Sequence, residues 1–251
     1  MDVHQKIYYH MATMPPRIEA LKDSIPSILH QCDRLFVYLN RFAGNIPEIL
    51  KHPKITIFES EKEFDGDGNL GDVGKFYGCE DWESGYHFTV DDKLIYPSTY
   101  TKDMIANIEK YGRKAVVSIH GRNFFTNRKC TSYYFNVERF FGCLQNHPEQ
   151  FVHEIGTGVM VFHTDTIQIS MDWFPRINMT DILLSVELQK RKIPMLLGAH
   201  KQGYIRISTR HDDNYSIHAQ CNRKDEIQTD LVNSIKWHVN TCKKITEPHP
   251  A

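Results

Sequence analysis

Before residue 97 the chain alternates short apolar runs with one stretch of helical spacing, and that order leaves few folds open. Residues 6–12 read as a buried strand, closed by Pro15 and Pro16. Ile18, Leu21, Ile25, Ile28 and Leu29 then recur at helical spacing over residues 18–30, with Pro26 expected to kink or interrupt the helix. Residues 34–40 (Arg-Leu-Phe-Val-Tyr-Leu-Asn) and 54–59 are two further buried strands. A strand, a helix, a strand and another strand after a short crossover is how a parallel α/β sheet begins.

The rest of the chain continues the alternation. Residues 61–74 are rich in Gly, Asp and Asn and read as loop. Within them Asp65-Gly66-Asp67-Gly68-Asn69 resembles the opening of a calcium-binding EF-hand loop, but Leu70 stands where that loop requires Gly and Phe76 where it requires Glu. A surface turn is the better reading. Residues 85–90 form a strand that runs into Asp91 and Asp92; residues 100–111 carry helical spacing, and 115–119 form another buried strand. Residues 120–136 are aromatic and polar without a period, which predicts a long loop or an irregular hairpin. Further strands are expected at 158–163 and 195–198, a helix at 181–190, and a terminal helix over 225–243 from Ile227, Leu231, Ile235 and Val239. With no internal repeat and no low-complexity linker, one domain accounts for residues 1–251.

Composition excludes more than it assigns. A formal net charge of -1 gives no global attraction to nucleic acid. No window approaches the roughly 18 consecutive apolar residues of a membrane span. Met1-Asp2-Val3-His4-Gln5-Lys6 lacks the basic-then-apolar order of a signal peptide, so a cytoplasmic location is expected. Cys32, Cys79, Cys130, Cys143, Cys221 and Cys242 include no CxxC spacing, which leaves zinc and thioredoxin-like readings unsupported and predicts free thiols. Asn178-Met179-Thr180 and Asn214-Tyr215-Ser216 match the N-glycosylation pattern, which has no meaning without secretion.

Asp91 and Asp92 are the first chemical signal. In an open α/β sheet, ligands gather at the carboxyl ends of strands, where this pair falls. Two carboxylates there suit a hard divalent cation, which would neutralise a diphosphate leaving group. Acidic pairs also form solvated turns, and the dipeptide alone does not choose between the two.

The surroundings of the pair resemble bacterial GT-A glycosyltransferases of capsular polysaccharide and lipopolysaccharide synthesis, in particular the heparosan-type α-N-acetylglucosaminyltransferases. Ala12-Thr13-Met14-Pro15-Pro16-Arg17 looks like that family's first-strand loop, and Gly71-Asp72-Val73-Gly74-Lys75-Phe76 like its Asp-Val-Gly-Lys-Phe element. Asp91-Asp92-Lys93 with Tyr96-Pro97 resembles its Asp-Asp-Asp motif and Tyr-Pro sequel. Ile119-His120-Gly121, Gly156-Thr157-Gly158 and Asp181 follow in the family's order, so the resemblance spans residues 7 to 206.

The resemblance implies a GT-A, Rossmann-like fold with a mainly parallel sheet flanked by helices. It divides the domain into a nucleotide-binding part over residues 1–97 and an acceptor side over 98–225. It further implies a UDP-sugar donor, a glycan or glycolipid acceptor, and retention of the donor's configuration. Peripheral association with the inner face of a membrane is left open. Pro15, Arg17, Lys75, Asp91, Asp92, Lys93, His120, Gly121 and Gly158 are the expected nucleotide-sugar contacts. Asp181 is the expected catalytic carboxylate, deprotonating the acceptor or stabilising an oxocarbenium-like centre. Asp92 and His200 are the expected ligands of Mn²⁺ or Mg²⁺. Lys93 replaces the family's third Asp. Either Asp92 takes over the metal beside Asp91, or Lys93 supplies positive charge to the diphosphate and weakens the need for metal. A nucleotidyltransferase and a non-catalytic nucleotide-sugar binder stand as the alternatives; against the first, Met14-Pro15-Pro16-Arg17 contains no Gly.

Overall fold

The computed structural model describes residues 5–42, 44, 46–59, 69–215 and 225–245. The expected turn at Asp65 to Gly68 lies outside these residues, as do Met1 to His4, Ser216 and Cys221. Strands β1 (Ile7–Thr13), β2 (Arg34–Leu39), β3 (Ile55–Phe58) and β4 (Tyr86–Asp91) fall where the apolar runs predict them. Later come β5 (Leu94–Ile95), β6 (Val116–Ser118), β7 (Gly121–Asn123), β8 (Arg139–Phe141), β9 (Gln150–Phe151), β10 (Glu154–Ile155), β11 (Val159–His163), β12 (Met195–Leu197) and β13 (Arg206–Ile207). The helices are α1 (Ile18–Leu29), α2 (Tyr100–Glu109), α3 (Thr180–Lys190) and α4 (Glu226–Ser234).

The central sheet runs β3-β2-β1-β4-β11-β6-β12-β9. The pairs β1–β2, β2–β3, β1–β4 and β6–β12 are parallel, whereas β11 runs antiparallel to both β4 and β6. Alternation sorts the side chains onto two buried faces. Tyr9, Met11, Phe88 and Val90 pack with Leu21 and Ile25 of α1 and Met104 and Ile108 of α2. Ala12, Val116, Met160 and Phe162 pack on the opposite face with Leu184 and Leu188 of α3. The protein is thus a mixed α/β fold whose mainly parallel sheet is flanked by helices.

Strand direction positions the site. Parallel β1, β2 and β4 all end at one sheet edge, at Thr13, Leu39 and Asp91. Because β11 is reversed, its start lies at that same edge, with Val159 opposite Val90, and Gly156 to Gly158 arrive there just before it.

Several local expectations are corrected. Helix α1 continues through Pro26, which is exposed, so the carbonyl four residues earlier can turn to water. The end of the expected loop over residues 61–74 is instead part of a 3-10 turn (Gly71–Phe76). Of the two readings of residues 120–136, the loop is replaced by the hairpin: β7 pairs antiparallel with β8, and also with β10, in a second small sheet. The terminal helix stops at Ser234, well short of residue 243. Ile235 turns extended (φ -105°, ψ 138°), and Trp237 folds back to donate from its indole to the Val232 carbonyl (2.9 Å) and to pack on Phe124. Burying that indole outweighs another helical turn, whose apolar position Val239 is exposed. Cys32, Cys79, Cys130, Cys143 and Cys242 are free thiols. No helix among the described residues is long and apolar enough to cross a membrane.

Candidate functional site

A cavity of about 550 Å³ opens at the sheet edge where β1, β2 and β4 end. Its walls combine Thr13, Arg17, Asp72, Lys75, Asp91, Asp92 and Lys93 with His120, Arg122, Gly158 and Asp181. The structure therefore brings most of the sequence-predicted residues together from separate segments.

Asp92, the first residue after β4, is almost fully buried and held on both oxygens. Arg17 Nη1 donates to its Oδ1 at 2.7 Å and the Thr13 hydroxyl to its Oδ2 at 2.9 Å. Arg17 also donates from Nη2 to the Tyr215 carbonyl at 2.6 Å. The 3-10 turn Pro15–Arg17 brings that guanidinium back over the sheet edge. Asp91 closes β4 and pairs with Lys75, whose side chain is itself buried. Burial raises the Asp91 carboxyl, but Lys75, Lys93 and Arg17 outweigh it and hold the group well below the usual carboxylate range. Burial likewise lowers Lys75, and Asp91, Asp72 and Asp181 outweigh it, so the lysine stays an ammonium.

The backbone around Asp91 is fastened by Tyr96. Its hydroxyl accepts from the Asp91 nitrogen (2.8 Å) and donates to the Gly158 carbonyl (2.6 Å). Gly158 has a specific steric duty: a Cβ there would lie 2.6 Å from both Cγ and Oδ2 of Asp91. Glycine was expected here for approach to a ligand, but what it admits is the Asp91 carboxylate.

Asp181 stands in the first turn of α3, with Oδ1 accepting from the Thr157 nitrogen and hydroxyl, both at 2.7 Å. The helix start is tied down by Asp72, whose oxygens accept from the Asn178 nitrogen (2.5 Å), the Thr180 nitrogen (3.0 Å) and the Thr180 hydroxyl (2.6 Å). The segment Gly71–Phe76 thus contributes twice, through Lys75 to Asp91 and through Asp72 to α3.

Beside them lies an aromatic and basic wall. Arg122 is buried, with its guanidinium 4.2 Å from the Tyr133 ring and 5.4 Å from the Phe140 ring. Glu154 lies behind it, 3.5 Å from Arg122 Nη1, and accepts from the Tyr133 hydroxyl at 2.9 Å. Burial pushes the Glu154 carboxyl up to about 7, with Arg122 opposing and Asp181 adding to the rise. His120, also in the wall, is pushed down to about 4 by burial and is neutral at pH 7.

Three expected residues sit elsewhere. Pro15 is exposed and does not line the cavity, although Met14 and Arg17 do. Gly121 lies in β7, where a Cβ would collide with the Glu154 carbonyl, so it serves the small sheet. His200 also lies outside the lining; its Nε2 faces the Cys143 carbonyl at 3.0 Å and its ring packs edge-on against His147. Among the described residues no three His, Cys, Asp or Glu side chains converge as a metal-binding group. Asp92 is engaged by Arg17 and Thr13, and Asp91 through Oδ1 by Lys75, so a divalent cation on either carboxylate would compete with those contacts or sit beside their positive charges.

Sequence reasoning did not single out Thr13, Asp72, Arg122 or Thr157 as site residues. Thr13, Asp72 and Thr157 stand inside motifs that it did quote, residues 12–17, 71–76 and 156–158, and Arg122 directly follows Gly121. Membership of those motifs, or adjacency to one, was the available signal.

No protein-family model matches the chain, and no curated protein matches it. Among solved structures it is similar to residues 1–349 of S. aureus TarS, with a TM-score of 0.46 and 11% identity over 78% of this chain. That match spans 58% of the TarS chain, less than two thirds of its length. A second similar structure is 4-diphosphocytidyl-2C-methyl-D-erythritol synthase, with a TM-score of 0.43 and 10% identity over 92% of this chain and 100% of that one.

Proposed function

We propose that this protein is a GT-A-type glycosyltransferase that moves a sugar from a UDP-sugar to a glycan acceptor. The observation that carries the reading is the convergence of Arg17, Lys75, Asp91, Asp92 and Lys93, from separate segments, on one cavity at the carboxyl ends of parallel strands, with Asp181 in the same wall. Parallel strand ends are where open α/β sheets bind nucleotides.

On this reading Arg17 and Lys93 meet the diphosphate, and the pairs Arg17–Asp92 and Lys75–Asp91 hold the loops in shape before the donor arrives. In the transfer, the bond from the sugar C1 to the β-phosphate oxygen breaks and a bond to the acceptor oxygen forms. The acceptor proton goes to a nearby base. Asp181, anchored through Oδ1 on Thr157, is our candidate for that base or for stabilising the cationic sugar, in a transfer with retention. Tyr133, Tyr134 and Phe140 offer the apolar ring faces on which sugars stack, which suits an acceptor subsite. An acceptor on a lipid carrier would bring the protein to a membrane surface.

A thermal-shift series with UDP and UDP-sugars tests the reading. A ligand present at about 100 times its Kd stabilises by roughly 2.7 kcal/mol, a clear rise in Tm. UDP release from a UDP-sugar would mark an enzyme rather than a binder, whereas pyrophosphate release from a nucleoside triphosphate would mark a nucleotidyltransferase. No stabilisation by millimolar UDP, with or without Mn²⁺, would remove the proposal.

A further inference from the structure

We infer that this site binds the diphosphate of its donor without a divalent cation, Lys93 standing where a metal would act. The inference rests on the UDP-sugar reading above and deepens it.

A hard cation such as Mg²⁺ needs several oxygen ligands in near-octahedral array, commonly including one or two carboxylates. The two carboxylates available after β4 are engaged. Both oxygens of Asp92 are taken, by Arg17 at 2.7 Å and by the Thr13 hydroxyl at 2.9 Å, and the carboxylate is almost fully buried. Asp91 is paired through Oδ1 with Lys75, so a cation on its other oxygen would sit beside that ammonium. A cation binding Asp92 would compete with the half-buried Arg17 guanidinium for a carboxylate that is itself almost fully buried, and the two positive charges would repel each other at close range. His200, the remaining expected ligand, faces backbone carbonyl and His147 instead.

Charge points the same way. The four cations that line the cavity (Arg17, Lys75, Lys93, Arg122) equal its four carboxylates (Asp72, Asp91, Asp92, Asp181) in number, so the lining has no formal negative surplus to attract a metal ion. Lys93 differs from the other three cations: it lines the cavity, and among the described residues no carboxylate lies within ion-pair distance of its ammonium. The ammonium is thus the cavity cation not already committed to a carboxylate in this corner, and a diphosphate is the ligand chemistry it fits.

Titration calorimetry of UDP into the full chain, once in EDTA and once in Mn²⁺, tests the inference without relying on turnover. The expected result is the same Kd within about twofold in both buffers. Lys93→Ala should weaken UDP by roughly 10- to 100-fold in EDTA, the scale of one charge-assisted contact. Lys93→Asp should make UDP binding depend on Mn²⁺. UDP binding to the unaltered chain that vanishes in EDTA and returns with Mn²⁺ would overturn the inference while leaving the glycosyltransferase reading intact. An unchanged Kd in Lys93→Ala would overturn it as well. Absence of UDP binding in both buffers would overturn the reading on which it rests.

Discussion

Gly158 and Asp91 fit together so closely that a methyl group on the first would lie 2.6 Å from the carboxylate of the second. The two residues are joined further by Tyr96, whose hydroxyl bridges the Asp91 nitrogen and the Gly158 carbonyl. A strand end carrying a paired acid and a strand start carrying a glycine are therefore one unit. Gly158→Ala should force the Asp91 side chain off Lys75 at a cost of about 1–3 kcal/mol, the usual scale of overpacking. Urea unfolding measures that cost, and calorimetry should show weaker UDP binding. A variant as stable as the parent would mean that Asp91 has room to move.

Asp72 acts as a cap supplied from another part of the chain, since α3 receives its N-terminal acceptor from a residue 108 positions before Thr180. Asp72→Asn replaces one accepting oxygen by a donating amide and should cost about 0.5–2 kcal/mol, as other lost caps do. The same change loosens the first turn that carries Asp181. We expect kcat for sugar transfer to fall more than KM rises, which separates positioning of Asp181 from donor binding. Equal kcat in the two proteins would confine Asp72 to stability.

Acid should destabilise the fold through its buried histidines. His10 Nε2 and His87 Nδ1 share a hydrogen bond of 2.9 Å within a buried stack that includes Trp82. Burial lowers both rings, His87 to about 4, and lowers His120 to about 4. Between about pH 6.5 and 4 the unfolded chain therefore binds protons that the folded chain refuses, so stability falls as pH falls. Each such ring contributes up to about 1.4 kcal/mol per pH unit. Glu154 opposes them: its folded value of about 7 lies above its unfolded one, so it contributes stability at low pH that is lost as pH rises toward 7. His153, also lowered to about 4, and His163 and His200, lowered by burial as well, act with the first three, while Asp72, raised by burial, acts with Glu154. Six histidines outweigh two carboxylates. Denaturant unfolding at half-unit steps should show a stability that declines steeply from pH 6.5 to 4; a flat profile there would contradict it.

Arg122 and Glu154 form a buried, loosely spaced ion pair whose side chains are 7% and 0% exposed. Removing the arginine strands a carboxylate in an apolar site, where broken pairs typically cost about 3–5 kcal/mol. Arg122→Met should show a loss of that order at pH 8. At pH 5 the loss should be much smaller, because the carboxyl then takes up a proton and its charge disappears. Adding Glu154→Gln should recover much of the loss at pH 8. A penalty independent of pH would assign Arg122's contribution to its packing on Tyr133 and Phe140.

The apolar runs of β1 to β4 and the helical spacing of α1, α2 and α3 were legible in the chain, because local periodicity follows from which faces a segment must bury. So was the placement of Asp91 and Asp92 at a strand end. Tertiary structure decided the rest. The short strands β7, β8 and β10 carry too few residues to show a period, and α4 ends early because Trp237 finds Phe124 across the chain. The direction of β11, which delivers Gly158 to the site, leaves no mark on its composition. Above all, which cation meets which acid is set by folding: Arg17 pairs with an aspartate 75 residues away, and Lys75 with one 16 away. Sequence supplies the charged groups, but only the crossing of β1, β4 and the Gly71–Phe76 turn at one sheet edge determines that Asp91 and Asp92 are already paired and that Lys93 has no carboxylate at ion-pair distance among the described residues.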